Sequence, residues 1–190
     1  MPTRMVVTRS LTATLYDITK TPLYRAIEDG DAYSVSHRFT NVGSDNKVRV
    51  CLINPSASNI MVKVIAVEVT TFAQAWVDVY RDAEISGGLY LDPVNLNFDS
   101  NKFSGVTIMY GFSHMLGVLV HSTVVPGGTR INAVGGFAEV GESVLIGPGH
   151  NLVIEVTNKS TTSSDISIRI IWFETRVAPS GGEEGEGEIR

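Results

Sequence analysis

The stretch from Val48 to Thr71 constrains the fold of this chain more than any other. Two runs rich in β-branched residues, 48–53 and 60–71, flank the insert Asn-Pro-Ser-Ala-Ser-Asn. Proline fixes its own φ angle, and asparagine and serine side chains can satisfy turn backbone, so the insert predicts a turn. The competing interpretation, a helix, is disfavoured because Val and Ile in alternation form poor helices. The stretch therefore predicts a β-hairpin whose arms are central strands of a sheet.

The second arm of this hairpin alternates between two faces. Its even positions share one face: Ile60, Val62, Val64 and Ala66. The odd positions share the other: Met61, Lys63, Ile65, Val67 and Val69. A period of two places the even positions in a core. The change from Lys63 to Ile65 indicates that the opposite face is half covered as well.

Further strands are predicted wherever alternating or apolar segments recur between turn residues. These segments are 11–19, 32–40, 75–80, 105–112, 116–125, 131–140, 144–146, 152–157 and 166–173. Residues 21–30 are irregular or contain one helical turn, and Pro93 makes 87–97 an edge strand or a connection. The predicted strands recur regularly and are separated by turn residues, and the sequence shows neither an amphipathic helix nor a fixed repeat. These features predict an all-β fold. The specific prediction is an antiparallel, jelly-roll-like β-sandwich of roughly nine or ten strands.

The two ends of the chain differ from the middle in composition. Residues 1–10 are predicted to be an N-terminal arm carrying Arg4 and Arg9, residues 11–178 the β-sandwich domain, and residues 179–190 an acidic Gly/Glu tail. The glutamates of this tail are Glu183, Glu184, Glu186 and Glu188. Such a segment has almost nothing to bury and is expected to be disordered by itself. It either docks on a cationic surface, for which Arg4 and Arg9 are candidates, or is a solvated tail.

Charge and cysteine content exclude several classes of partner. A net charge of −5 without a Lys/Arg run argues against nucleic acid. No apolar run reaches the length of a membrane span, and the N-terminus lacks a signal-peptide core, so we expect a protein that is made in a cytoplasm and does not bind membrane. The single cysteine, Cys51, lies in a predicted strand and is interpreted as a small buried apolar residue.

A search for catalytic or metal-binding patterns finds none. The histidines His37, His114, His121 and His150 have no zinc spacing and are interpreted as surface or satisfied core residues. The carboxylates of Asp29-Gly30-Asp31 could ligate calcium, but Asp-Gly is also an ordinary turn pair. Asn158-Lys159-Ser160 matches the glycosylation sequon, which we interpret as a chance match in a loop. We therefore predict no enzymatic activity, no metal and no cofactor.

Three motifs resemble segments of virion proteins of tailed phages and prophages. They are the turn at 52–56 before an Ile/Val strand, Gly-Leu-Tyr-Leu at 88–91 with Asn-Leu-Asn at 95–97, and Pro-Gly at 148–149 before 152–158. Together they cover residues 48–160. The family resembled is a set of small β-rich structural proteins. The resemblance implies a capsid decoration, head-fibre or tail-associated role, often as a trimer, in a virion assembled in the host cytoplasm.

Two classes of function follow from these patterns. The first is a structural protein that acts through contacts with other virion proteins. Apolar residues on both faces of several strands exceed what one core can hold, so we expect a homo-oligomer, most simply a trimer. The second is a carbohydrate- or receptor-binding sandwich, in which Trp76, Tyr80, Tyr90 and Tyr110 form a stacking platform. Trp76 and Tyr80 alternate in step with one strand face, which favours a core or interface role instead.

Overall fold

The computed structural model describes residues 21–126, 132–134 and 144–176 of the 190-residue chain. In this part a short helix, α1 (Pro22–Glu28), precedes fourteen strands. The strands are β1 (Ala32–Val42), β2 (Lys47–Ile53), β3 (Ile60–Thr71), β4 (Ala75–Arg81), β5 (Glu84–Ser86), β6 (Leu89–Leu91), β7 (Val94–Asn95), β8 (Thr107–Tyr110), β9 (Ser113–Met115), β10 (Val118–Val125), β11 (Asn132–Val134), β12 (Val144–Ile146), β13 (Asn151–Asn158) and β14 (Ser164–Arg176). The predicted strand at 11–19 lies outside the described residues.

The strands form two large antiparallel sheets and one small one. Sheet I has the order β11-β3-β14-β1-β7, and β12 also pairs with β3. Sheet II has the order β10-β4-β13-β2-β8-β6. Strands β5 and β9 pair only with each other in the described residues. The all-β, antiparallel, sandwich-like fold confirms the predicted fold class, but the described residues contain fourteen strands and not the predicted nine or ten.

One core fills the space between sheets I and II. Sheet I contributes the alternate residues Ile166, Ile168, Ile170 and Trp172 of β14, as the sequence pattern predicts. Sheet II contributes Leu152, Ile154 and Val156 of β13 together with inward residues of β2 and β4. Inward side chains of two packed sheets interdigitate and exclude water, and this burial is the main stabilising term of such a fold.

The residues of strand β3 that point into the core change from even to odd positions halfway along its length. Opposite β14, Val64 pairs with Trp172 and Ala66 with Ile171, which leaves Ile65 as an extra residue. Such a β-bulge inverts the alternation that follows it. The buried positions therefore pass from Ile60, Val62 and Val64 to Val67, Val69 and Thr71. The prediction that Ala66 belongs to the core face is wrong for this reason.

The turn that joins β2 to β3 is organised by a buried amide. Asn54 is fully buried, and its Nδ2 donates to the carbonyl oxygens of Ile60 (2.9 Å) and Ile146 (3.0 Å). Its backbone N–H donates to His150 O and its carbonyl accepts from Gly149 N, so this turn packs against the Gly-Pro-Gly turn before β13. The hydrogen bonds satisfy backbone groups that would otherwise be buried without partners.

Candidate functional site

The outer face of sheet II carries an extra layer made by two crossing connections. Strand β5 lies on the connection from β4 to β6, and β9 lies on the connection from β8 to β10. The two strands pair antiparallel, with Ile85 opposite His114. We call β5 and β9 together the crossing ribbon. It passes over β13 and β2 because the strands that it connects lie on both sides of them.

A second apolar cluster lies under the crossing ribbon. Its buried members are Cys51, Ala83, Phe112 and Val153. Burial raises the pKa of the Cys51 thiol strongly, which keeps the sulfur protonated and unreactive. The interpretation of Cys51 as a small buried apolar residue is confirmed.

A buried carboxylate lies beside this cluster. Glu155, in the middle of β13, is only 1% exposed. Its Oε1 accepts from Lys47 Nζ at 2.6 Å, and its Oε2 accepts from Arg49 Nε at 2.7 Å. His114 Nε2 of the crossing ribbon lies 3.1 Å from the same Oε2. Strand register explains the contact with Arg49, because Arg49 and Glu155 are directly opposite in β2 and β13.

The charge state of Glu155 follows from these contacts. Burial raises the pKa of its carboxyl, but hydrogen bonds from Lys47 and Arg49, the Arg49 charge and the His114 contact outweigh burial and lower the pKa below its ordinary value. A carboxylate held ionised by two cations is a poor proton donor at neutral pH. Glu155 therefore acts as a fixed charge that ties β2, β13 and the crossing ribbon together.

His114 is less completely satisfied than its neighbours. Its ring lies 4.9 Å from the Tyr80 ring, measured between centroids, and its side chain is 9% exposed. Its Nδ1 is buried and has no hydrogen-bond partner among the described residues. Two other histidines differ: the ring centroid of His37 lies 4.0 Å from that of Tyr110 and burial lowers the pKa of His37, while His150 Nδ1 bonds to Asp82 at 2.8 Å. The expectation of satisfied histidines is thus wrong for His114.

Trp76 and Tyr80 lie on the outer face of β4. The buried residues of β4 are Val77 and Val79, so the alternation that the sequence shows points the aromatics away from the sandwich core. Trp76 is 48% exposed, and Lys159 Nζ lies 4.5 Å from its ring centroid. Tyr80 is half-buried beside His114, and burial raises its pKa. A core role is wrong for Trp76, which leaves the interface role open.

The edge of sheet II beside Trp76 is apolar and exposed. Strand β10 is the last strand of that sheet in the described residues and pairs only with β4. Leu119 faces outward opposite Tyr80, and Val124 faces outward opposite Trp76; each is 51% exposed. Further exposed apolar residues continue along the same edge, the turn before it and the end of β9: Met115, Leu116, Val118 and Val120. We call this set, with Trp76, the β10 edge.

The four aromatic residues proposed as a sugar platform do not share a surface. Tyr110 pairs with Val50 and points inward to contact His37 and Phe39. Tyr90 lies on β6, at the opposite edge of sheet II from Trp76. Lys159 already covers one face of the Trp76 ring. The arrangement gives the carbohydrate-binding interpretation no support.

A groove of about 1430 Å³ lies at the end of β14. Helix α1, the turn before β3, the loop 101–105 and residues 173–176 line it. Its charged groups are of both signs, and Asp31 pairs with Lys102 at 2.7 Å. Gly30 adopts φ +74°, and a Cβ there would lie 2.3 Å from Ser100 Oγ, so Asp29-Gly30-Asp31 is a turn that requires glycine. In the described ranges, no three His, Cys, Asp or Glu side chains are grouped to hold a metal.

The remaining sequence predictions fall only partly within the described residues. Asn158 of the sequon is 1% exposed, and its Nδ2 donates to Val42 O at 2.8 Å and Thr162 O at 2.9 Å, so it is a structural amide. Arg4, Arg9 and the tail glutamates (Glu183, Glu184, Glu186 and Glu188) lie outside the described residues. Of the helices in the described part, none is long and apolar enough to cross a membrane.

Sequence reasoning did not identify the Glu155 cluster. The available signal was a single carboxylate inside the run Leu-Val-Ile-Glu-Val of β13, with Lys47 and Arg49 in the partner strand β2. A charged residue in such a strand is buried only when it is paired. His114 could not be assigned as the third partner, because the contact depends on the path of the crossing ribbon.

Comparison with known proteins does not place this chain in a family. No family model matches it, and neither the curated proteins nor the solved structures contain a match.

Proposed function

We propose that this chain is a structural protein of a virion, a particle-surface subunit that acts through subunit contacts and not through catalysis. The observation that carries the role in subunit contacts is the β10 edge. A long apolar edge strand templates pairing with another chain, and monomeric proteins usually shorten, charge or cover such edges. Here Leu119, Val124 and Trp76 are each about half exposed and lie along one side of the sheet.

The order of the strands supports a jelly-roll architecture for this subunit. The four-stranded set β12-β3-β14-β1 belongs to sheet I, and the set β10-β4-β13-β2 belongs to sheet II. Successive strands β1 and β2, β3 and β4, and β13 and β14 alternate between the sheets. That alternation is expected of a double-sheet jelly roll, a fold found in viral capsid proteins. The assignment to a virion rests on the resemblance of residues 48–160 to virion proteins, since fold alone does not imply function.

We expect the protein to form a homo-oligomer, with a trimer as the favoured state. Burying exposed apolar side chains is the usual driving force for obligate association. In light scattering at micromolar concentration, the wild-type protein should show three times the monomer mass of 20.5 kDa. A monomer at that concentration would contradict the proposal.

A pair of charge-matched double variants tests the β10 edge directly. Leu119→Glu with Val124→Glu places two carboxylates on the exposed edge, and dissociation to monomer is expected. Ala57→Glu with Thr161→Glu adds the same charge at exposed loop positions and should leave the mass unchanged. If both double variants keep the wild-type mass, the β10 edge is not the interface.

The particle assignment requires a separate experiment. Antibodies raised against the purified protein should label particles isolated on a density gradient from the source culture, in immunogold electron microscopy. Labelling confined to soluble fractions would contradict the virion role even if the protein is oligomeric.

A further inference from the structure

Strand β1 is paired along only part of one of its sides. Strand β14 pairs with β1 from Ala32 to Val42, but on the other side β7 pairs only with Tyr33 and Ser34. The described residues contain no further strand on that side. Residues 36–39 therefore form a free edge of sheet I, which we call the β1 edge. An edge of this kind presents backbone groups that an added strand can pair with.

The direction of the backbone groups along β1 follows from two hydrogen bonds at its start. Asp31 O accepts from the N–H of a β14 residue, whereas Ala32 O accepts from the N–H of the residue that follows β7. Successive residues of a strand point their backbone groups to opposite sides, so the even-numbered residues point away from β14. Ser36 and Arg38 thus offer two N–H groups and two carbonyl oxygens at the β1 edge.

The space beneath the β1 edge lacks a covering strand as well. Strand β8 lies across from β1, because the Tyr110 ring contacts the rings of His37 and Phe39, and β6 lies one strand further along sheet II. Leu89 of β6 is directly opposite Tyr110 and shares its inward face, yet it is 60% exposed. A hollow of about 480 Å³ opens beside the β1 edge, lined by residues 37–40, 42 and 46–48.

One segment outside the described residues has the pattern that this edge requires. Segments 127–131 and 135–143 adjoin β11 and β12, which pair with β3 towards the opposite edge of sheet I, and 177–190 contains a Gly/Glu run. Residues 11–15, in contrast, read Leu-Thr-Ala-Thr-Leu and belong to a segment for which the sequence predicts a strand. Their apolar and polar residues alternate, as the half-buried and exposed residues of the β1 edge do.

The path of the chain before α1 favours a neighbouring copy as the donor of this segment. Helix α1 starts at Pro22, beside the groove at the end of β14. The segment 94–97 occupies the side of β1 between α1 and the β1 edge, where Asn95 Nδ2 donates to Gly30 O at 2.9 Å and Asn97 Nδ2 donates to Glu28 O at 3.0 Å. The same chain would have to pass around it with residues 16–21, whereas a second copy reaches the edge from outside.

We propose that the β1 edge receives residues 11–15 of a second copy of this chain as an additional strand of sheet I. The three apolar side chains of the segment face the hollow and Leu89, and its two threonines face solvent. Its backbone pairs with Ser36 and Arg38. Exchange of an identical element links protomers without a change of fold. The inference deepens the proposed function and rests on the oligomer that it includes.

Disulfide formation between two full-length variants tests the exchange. Thr12→Cys or Thr14→Cys is co-expressed with Ser36→Cys or Arg38→Cys, and one of the two chains carries a small tag so that a mixed dimer has its own mass. Cysteines on the same face of paired strands come within disulfide distance. At least one of the four combinations should give a mixed dimer in non-reducing electrophoresis after mild oxidation.

Two controls separate strand pairing from loose contact. Ala57→Cys lies in the exposed turn before β3 and, co-expressed with Thr14→Cys, should give no mixed dimer. Thr12→Pro with Ala13→Pro removes one N–H on each side of the added strand and should abolish the mixed dimer of Thr14→Cys. Val7→Pro with Thr8→Pro places the same change outside the paired segment and should keep it.

Hydrogen exchange of the wild-type protein provides a test that needs no cysteine variant. The amides of Ser36 and Arg38 should be protected, and their exchange should be about fivefold faster in Thr12→Pro with Ala13→Pro, the factor for one lost hydrogen bond of about 1 kcal/mol. Unprotected amides at these two positions in wild-type would overturn the proposal.

The other outcomes also decide the proposal. No mixed dimer in any combination would overturn it, whether the segment then links to the edge of its own chain or two β1 edges link to each other. A mixed dimer that survives the paired prolines would overturn it as well. Light scattering of wild-type distinguishes the two proposals: an oligomer without a mixed dimer leaves the role in subunit contacts in place, whereas a monomer contradicts both.

Discussion

The Glu155 carboxylate shows how one charged residue is accommodated inside a β-sandwich. Its isolated burial would cost several kcal/mol, but two cations and a histidine supply hydrogen bonds to both oxygens. About half of the Lys47 side chain is exposed to solvent, so its methylene groups pack against the protein while its ammonium group stays hydrated. Arg49 is more deeply placed and also donates to Phe112 O at 3.3 Å. The cluster therefore depends on all its members, and removing the anion leaves Arg49 unpaired.

We predict that Glu155→Ala lowers the free energy of unfolding by about 3–5 kcal/mol, the usual loss when one partner of a buried pair is removed. Urea denaturation followed by tryptophan fluorescence measures it. Glu68→Ala is the matched control, because Glu68 pairs with Arg169 at 3.3 Å on the surface and its loss should cost less than about 1 kcal/mol. Equal losses in the two variants would show that Glu155 is not a buried anchor.

The same carboxylate predicts a pH dependence with a defined sign. Because the folded pKa of Glu155 is below its unfolded value, its contribution is complete above the ordinary carboxyl pKa of about 4.3 and is lost as the pH falls through the lowered pKa. The stability difference between wild-type and Glu155→Ala should therefore narrow below about pH 4. A difference that stays constant down to that range would contradict the ionised pair.

At the residue scale, the sequence predicts the burial of those side chains whose environment depends only on the strand that contains them. The burial of Cys51 and of the alternate residues Ile166, Ile168 and Ile170 follows from apolar runs alone. The partners of Glu155 and the outward direction of Trp76 depend on which strands are neighbours. Periodicity within one strand carries no information on that arrangement.

Among the elements, β3 shows how a local irregularity is hidden in a regular pattern. The sequence from Ile60 to Val69 has apolar residues at both even and odd positions, with Lys63 at an odd position and Glu68 at an even one, so neither set is apolar along the whole strand. The bulge at Ile65 resolves this ambiguity by burying even positions first and odd positions afterwards. Even and odd positions both contain apolar residues because the buried positions change from even to odd along the strand.

We predict that Val67→Asn and Ala66→Asn differ sharply in stability, although the residues are neighbours. Val67 is 5% exposed and faces the core, so an amide there loses packing and its hydrogen bonds to water, at a cost of about 3 kcal/mol or more. Ala66 is half-buried on the outer face, where the same substitution should cost less than about 1 kcal/mol. Thermal unfolding of the two variants decides between the bulged register and the regular alternation, which predicts the reverse order.

Short elements were the least predictable part of the fold. Strands β5, β7 and β9 contain two or three residues each, too few to show a period of two. Longer strands such as β13 and β14 were predicted nearly to their ends. The extended segment with Pro93 separates into β6 and β7, which lie at the edges of sheets II and I, as a proline in a strand run predicts.

For the whole molecule, the crossing ribbon changes the argument for oligomerisation. Apolar residues on both faces of β2 and β13 indicated that a second subunit must cover the surplus face. In the structure, the crossing ribbon of the same chain covers the middle of that face, where Cys51 and Val153 are buried. The proposal of an oligomer therefore rests on the β10 edge. Its apolar residues Leu119 and Val124 stay half exposed among the described residues, whereas Cys51 and Val153 under the crossing ribbon are buried.

The last prediction concerns the acidic tail and the net charge of the molecule. Residues 181–190 contain four glutamates and one arginine, so deleting them changes the formal net charge from −5 to −2. The segment has almost no apolar surface to bury, and the thermal midpoint of the truncated protein should be nearly that of wild-type.

If the tail docks on cationic groups such as Arg4 and Arg9, truncation should weaken subunit association. The effect should be larger at low salt, because exposed charges are screened within about 8 Å at physiological ionic strength. Light scattering of both proteins across a salt series measures this. A matched variant that replaces the four glutamates with glutamine separates charge from length. Association that is unchanged by either alteration at every salt concentration would identify the tail as a solvated segment without a docking role.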